Sequence, residues 1–246
     1  GAATTSVLRN HIEQLDSMGC RVTIVDGALS RLSLASPAVT DAMVLSTGAA
    51  VSANLKHLVN KTRFVYNLIQ LQEVDDALRQ SINTIESGIW AIDSDGQAHD
   101  LGLRSAFLLS DAGNDLFRYG TTLFAAGAVS DRLLKAIGGK GTDITLIVKD
   151  FTKLFITPEV YSDYVRRGHR LLVLQRTKLI AVTLNPTSPQ GFLLDSAGAC
   201  HALGEALLRN DVGGDGGCGG GAQTPAQAMT HPQSDDDADD GKHRIR

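Results

Sequence analysis

Cysteine is scarce in this chain and badly placed for structural work. Cys20, Cys200 and Cys218 are odd in number, far apart and form no CxxC. That excludes a disulfide framework or zinc ribbon and fits a reducing, cytoplasmic setting. Cys20 is expected to pack as a small hydrophobe just before the first strand. The histidines offer no HxH or HxxxH, and Cys200-His201 are neighbours on a helix, where adjacent residues do not face each other. Aromatics are 5% of the residues and are not interleaved with basic ones, so no stacking platform for nucleic-acid bases is built. No apolar run approaches the roughly 20 residues that cross a bilayer, and the start GAATTSVLRNHIEQ is not a secretory signal. That start also lacks an initiator Met and reads as a trimmed chain.

Two catalytic signatures are missing as well. GxSxG does not occur, so hydrolysis by a nucleophile elbow has no support. Gly138-Gly139-Lys140-Gly141-Thr142 looks superficially like a phosphate loop. A Walker A loop follows a strand, opens a helix and ends in Lys-Ser/Thr. Here a predicted helix precedes, a predicted strand follows, and Gly141 stands where the hydroxyl belongs.

What is present is an ordinary globular composition with alternating strand and helix patterns. Helices are expected over 6–18, 52–71, 73–82, 131–137, 158–167 and 195–208, with one helical turn at 37–41 capped by Ser36. Strands are expected over 22–25, 42–45, 121–126, 143–148 (ending at Lys149-Asp150), 170–175 and 179–184. Ile89–Ile92 and Gln97–Leu101, joined through Asp93-Ser94-Asp95-Gly96, read as a β-hairpin inserted over about 88–102. The reading is an α/β domain over 1–210, a mostly parallel sheet with helices on both faces. Residues 211–246, rich in Gly and Asp, read as a disordered acidic tail. The tail's seven acids and three bases account for the net −4 of the chain, so the body is neutral and nucleic acid is not an expected partner. A membrane is not expected either, and an oligomer is left open.

The most informative stretch is Val22–Gly48, VTIVDGALSRLSLASPAVTDAMVLSTG. Val22–Val25 is apolar throughout, as a buried parallel strand would be, and it stops at Asp26-Gly27. A loop of hydroxyls with one cation follows: Ser30, Arg31, Ser33 and Ser36. In open α/β sheets, ligands lie beyond the carboxyl ends of the strands. Asp26 is therefore the candidate metal ligand, acting directly or through water beside a phosphate. Gly27, Ser30, Arg31, Thr47 and Gly48 are the candidate ligand- or phosphate-binding residues. Asn185 and Ser188 join them from Asn185-Pro186-Thr187-Ser188-Pro189-Gln190-Gly191, read as a rigid, stretched loop at the same edge. Each has a plainer alternative: Asp26 capping a turn, Arg31 pairing with Asp26 or Asp41, Thr47 punctuating a helix start. No catalytic residue is assigned.

Ile24–Ala50 (IVDGALSRLSLASPAVTDAMVLSTGAA) resembles accessory proteins encoded beside the B12-dependent lysine 5,6-aminomutase and ornithine 4,5-aminomutase, the reactivase-type subunits. Leu184–Gly191 (LNPTSPQG) is similar to that family's NP-x-SP-x-G pattern. The resemblance implies a truncated member of the family without its N-terminal segment. It also implies a non-mutase partner that opens the mutase and releases damaged cofactor, with ATP and Mg²⁺ as candidate cofactors. It carries over no catalytic residue, and the Asp-rich tail is not part of it. Two other readings stand beside this one: a small-molecule enzyme with a metal–phosphate crevice, with Asp26 on a metal and Arg31 on a substrate anion, and a structural subunit with an empty crevice.

Overall fold

The computed structural model describes residues 5–27, 32–103, 116–139 and 143–209. Its centre is a five-stranded sheet. β2 (Ile89–Ile92) and β3 (Ala98–Leu103) form the expected hairpin at one edge, and β4 (Thr122–Ala125), β6 (Thr145–Val148) and β8 (Arg170–Val173) follow in the order β3-β2-β4-β6-β8. The last three are parallel, whereas β2 runs antiparallel to both neighbours. The sheet is thus mixed rather than mostly parallel, and the hairpin is the reason. An Asp-Gly turn reverses the chain, and β2 then pairs with β4, so the hairpin forms part of the sheet. Glu73 adds a single parallel bridge beyond β8.

Strand alternation divides the core into two layers. Leu123, Ala125, Leu146, Val148, Leu171 and Val173 face one side, under α4 (Asp131–Gly138), α5 (Pro158–Arg166) and the second half of α2 (Leu55–Ile69). Phe124, Ile147 and Leu174 face the other, under α3 (Asp76–Ile82) through Ile82 and Leu78. Helices therefore cover both faces, as expected. Their starts follow their caps: Asn54, Asp75 and Ser130 each accept from the backbone N–H three residues on, at 3.0, 2.8 and 3.5 Å.

A second, two-stranded parallel sheet pairs β1 (Met43–Gly48) with β9 (Leu179–Asn185). Leu184, Ala49, Leu58 of α2 and Ala199 of α6 (Ser196–Leu208) form its own small core. A short parallel pair, β5 (Val129–Ser130) with β7 (Leu154–Phe155), was not expected from sequence, because two-residue strands carry no periodicity. The first helix, α1 (Thr5–Ser17), matches its pattern, and Gly19 closes it at φ 89°.

The Val22–Val25 segment departs from expectation. It forms no strand; Val22 and Ile24 are 79% and 89% exposed, and no residue from 6 to 27 is buried. Cys20 is accordingly exposed rather than packed. The apolar run has strand-forming residues but nothing beside it to bond its backbone. Residues 210–246, including the expected tail and Cys218, lie outside the described residues. Among those described, no helix is long and apolar enough to cross a membrane.

The hairpin turn is fixed by Asp93. One carboxyl oxygen accepts from the N–H groups of Asp95 and Gln97 at 3.0 and 2.9 Å, and the other bonds His99 Nε2 at 2.7 Å. His99 in turn stacks on Tyr119, with ring centres 4.0 Å apart. The His99 hydrogen bond first, and the Gln97 N–H next, hold the Asp93 carboxyl below its ordinary value. A depressed carboxyl stabilises the folded form above its unfolded-state value near 3.8 and loses that contribution as pH falls through its folded-state value. Hydrogen exchange at the Asp95 and Gln97 amides should therefore be flat from neutrality to about pH 5 once intrinsic rates are removed, and protection should fall below pH 4. In Asp93→Ala the protection should be weak at every pH.

Candidate functional site

The strand-end acid that the structure does supply is Asp150. β6 is the central parallel strand, and its continuation alternates. Lys149 turns toward the α3 side, bonding Glu86 at 2.9 Å, and Asp150 turns to the opposite side and is 4% exposed. Lys149 lowers the Glu86 carboxyl, first by hydrogen bonding and then by charge. One Asp150 oxygen accepts from the Thr152 N–H at 2.8 Å and from the Thr152 hydroxyl. The other accepts from the Ser36 hydroxyl at 2.8 Å. Thr177, also buried, donates its hydroxyl to the Ala35 carbonyl at 3.1 Å.

Ser36 of the hydroxyl-rich loop thus does reach the carboxyl ends of parallel strands and faces an acid there, but that acid is Asp150. The expected turn after Ser36 is present: its carbonyl accepts from Val39 and its hydroxyl from the Ala38 N–H, at 2.8 and 3.3 Å. Sequence reasoning passed over Asp150 although the strand-end argument applied to Asp26 fits it equally. The signal was the all-apolar Thr145–Val148 run followed by an acid.

Asp26 and Gly27 lie exposed in the irregular segment after Val25, so the sheet gives Asp26 no strand-end position. Ser30 and Arg31 lie outside the described residues, as do Lys140, Gly141 and Thr142 of the Gly-Lys loop. Among the described residues, no three His, Cys, Asp or Glu side chains cluster as metal ligands. A metal on Asp26 would draw its other ligands from water, from a bound phosphate, or from beyond that set.

Thr47, Gly48, Asn185 and Ser188 are brought together, as expected, at the carboxyl ends of β1 and β9. The parallel register pairs Thr47 with Leu184 and Gly48 with Asn185. β1 runs three residues further than expected, so Thr47 is inside the strand rather than before a helix. Their side chains, however, are committed within the protein. The Thr47 hydroxyl bonds that of Thr62 on α2 at 2.7 Å, and Asn185 Oδ1 accepts from the Thr187 N–H at 3.0 Å. The buried Ser188 hydroxyl donates to the Gln190 side chain and accepts from its N–H. The 185–191 loop is folded rather than stretched: Ser188 N–H bonds Phe192 O, Gly191 N–H bonds Ser188 O, and Leu194 N–H bonds Pro186 O. Its two prolines fix the turn while these three bonds satisfy the backbone.

Gly48, at φ 156°, sits so close to β9 that a Cβ would lie 2.0 Å from the Asn185 carbonyl oxygen. This is the one rim position where residue identity is dictated by backbone against backbone. Ser36 and Thr177, by contrast, precede β1 and β9. At about 3.3 Å per residue, the Asp150 cluster and the Gly48 rim are separated by roughly the length of the β1–β9 ladder.

A concavity of about 370 Å³ lies elsewhere, between α4 and α5, lined by Lys135, Gly138, Glu159, Asp163, Tyr164 and Arg167 among others. Two of its lining charges, Asp163 and Arg167, pair with each other. Asp163 bonds Arg166 and Arg167 at 2.6 and 2.9 Å, and the Arg166 bond is the first cause of its lowered carboxyl. Burial pushes the Tyr164 hydroxyl well up, and that ring packs on buried His169, with centres 4.7 Å apart. His169 accepts from Ile144 N–H at Nδ1 and bonds Gly138 O through Nε2 at 3.1 Å, so it ties α4 to β6 and has no nitrogen left for a ligand.

Three substitutions test these assignments. Gly48→Ala forces the strands apart and should cost about 2–3 kcal/mol, the scale of a small-to-large change in packed structure, read by urea unfolding. Ser36→Ala leaves a buried carboxyl oxygen one donor short and should cost about 1–3 kcal/mol. Combined with Asp150→Ala, the two losses should sum to less than their separate values, as members of one hydrogen-bonded pair do. No protein-family model, curated protein or solved structure matches this chain at a significant level.

Proposed function

We propose that this chain is an accessory protein that binds a cobalamin-dependent amino-acid aminomutase in the cytoplasm and assists or reactivates it, linked to ATP and Mg²⁺. One observation carries the reading. The two segments whose sequences resemble the reactivase-type family, 24–50 and 184–191, are far apart in the chain, yet they meet. They meet at the carboxyl end of the β1–β9 ladder, where Thr47 pairs with Leu184 and Gly48 with Asn185 and only glycine fits at position 48. Two motifs of one resemblance forming one structural unit supports the resemblance over a chance match of short words.

The Thr47 and Ser188 hydroxyls and Asn185 Oδ1 are spent on the protein itself, and the nucleotide contact is assigned to Asp26 and Arg31. Asp26 is exposed and chemically free to take a hydrated Mg²⁺. A switch that works on a partner enzyme needs an element with two arrangements whose balance the nucleotide biases. The described residues 22–27, paired with no described strand, suit that requirement. The small-molecule enzyme reading needs the same residues enclosed in a crevice, and the exposed position of Asp26 lends it no support.

Incubation with the mutase, followed by pull-down with and without ATP–Mg²⁺, should recover a complex whose yield depends on the nucleotide; no complex in either condition refutes the reading. Independently, ATP–Mg²⁺ at 100 times its dissociation constant should raise stability by about 2.7 kcal/mol. The gain should vanish in Asp26→Ala and persist in Asp95→Ala, a change at the exposed hairpin tip.

A further inference from the structure

The amino-terminal arm, residues 5–27, and the outer side of the β1–β9 pair are each incomplete in a way the other would correct. Twelve large apolar side chains are exposed among the described residues, and five of them are on the arm: Val7, Leu15, Met18, Val22 and Ile24. None of the arm's residues from 6 onward is buried, and none belongs to a core cluster. After the Gly19 turn the chain runs through Val22-Thr23-Ile24-Val25, a β-forming run with no hydrogen-bonded neighbour strand.

The β1–β9 pair presents the matching deficit. Parallel sheets are normally buried on both faces and extend beyond two strands. Here the sheet has two strands, and among the described residues neither outer edge is paired further. Val44 on β1 and Ile180 on β9 are 49% and 54% exposed. An unpaired β edge of this kind is a template for another strand.

We propose that the two deficits are joined between two copies of this chain. Val22–Val25 of each copy adds as a third, parallel strand to the open edge of β1 in the other, and α1 lies over the exposed Val44 side of that sheet. Within one chain the two elements are present but apart, and exchange between copies satisfies both of them twice in a closed dimer. The arm's 23 residues fall within the 20–30 per partner of a standard interface. The inference does not rest on the functional reading above, but it has a consequence for it. A parallel strand ending level with β1 would carry Asp26 of one copy to the rim formed by Gly48 and Asn185 of the other.

Sedimentation equilibrium of the full chain over a range of concentrations tests this. A monomer–dimer equilibrium is expected. Ile24→Asp, which places a carboxylate in the new sheet, should weaken the dimer at least about a hundredfold. Thr23→Pro, which removes a strand N–H, should also shift it to monomer. Both positions lie outside the cores, so the monomer should keep its circular dichroism and unfolding midpoint. A chain that is monomeric at every concentration overturns the proposal, and protection of the 22–25 amides in such a monomer would mean docking within one chain. A dimer that survives both substitutions overturns it too. Loss of the dimer without loss of an ATP–Mg²⁺ stability gain leaves the nucleotide reading standing alone.

Discussion

A close approach of two backbones, Gly48 against the carbonyl of Asn185, holds the carboxyl ends of β1 and β9 together. The contact joins residues far apart in sequence, so closing it costs chain entropy that only the packing around it can offset. That packing comes from α2 and α6: Leu58, Leu184, Leu194 and Ala199 are buried together, and Thr47 and Thr62 exchange a hydrogen bond beneath them. α2 belongs to both cores, because its first half covers β1–β9 and its last residues, Leu68 and Ile69, sit on the five-stranded sheet. The small sheet is thus carried by the large one through this shared helix and through Met43, Leu45 and Leu179, which pack on the large core directly.

The second tie is polar. Asp150 extends from the central strand into a site with almost no water, where its carboxyl oxygens take donors from Ser36 and Thr152. Burying a carboxyl is tolerable only when its acceptors are met, and here one of the donors comes from the connection that leads into β1. The bond therefore fixes where that connection crosses the strand ends, together with the Thr177 to Ala35 bond beside it. A carboxyl so fully occupied by its own chain is built to hold the loop.

The legible parts of the fold were those written in local patterns. The helix at 131–138 follows from its Ser130 cap, that at 158–166 from Pro158 in its first turn and that at 55–69 from apolar positions on one face, and Asp93–Gly96 specified its hairpin through turn chemistry alone. The all-apolar Thr145–Val148 run announced a strand buried on both faces. Less legible was anything decided by a distant partner. Val22–Val25 (VTIV) is as β-prone as β6 (TLIV), yet it pairs with no described strand, because composition gives a strand's preference and not its neighbour. The same limit displaced the candidate site. A strand-end acid was sought at Asp26, while tertiary packing placed the loop's Ser36 on Asp150, an acid the same rule describes. Thr47, Asn185 and Ser188 did gather, but sequence could not reveal that their hydrogen bonds would be used internally.

These constraints together decide which parts of the molecule are free to act. The large sheet is closed by helices on both faces, its hairpin edge is locked by Asp93, and the Gly48 rim is closed by its own turn. What is left open includes the stretch before residue 28, a helix with exposed Val7 and Leu15 and a β run with no described strand beside it, and the edges of the β1–β9 pair. Exposed apolar surface in water is unfavourable, and a strand edge lets the hydrated backbone leave water without losing its hydrogen bonds, so such a segment is stabilised by whatever supplies both an edge and an apolar face. The only acid of the candidate site whose carboxyl is not already bonded within the described protein, Asp26, follows directly on that run. Any partner that orders the run therefore also positions the acid.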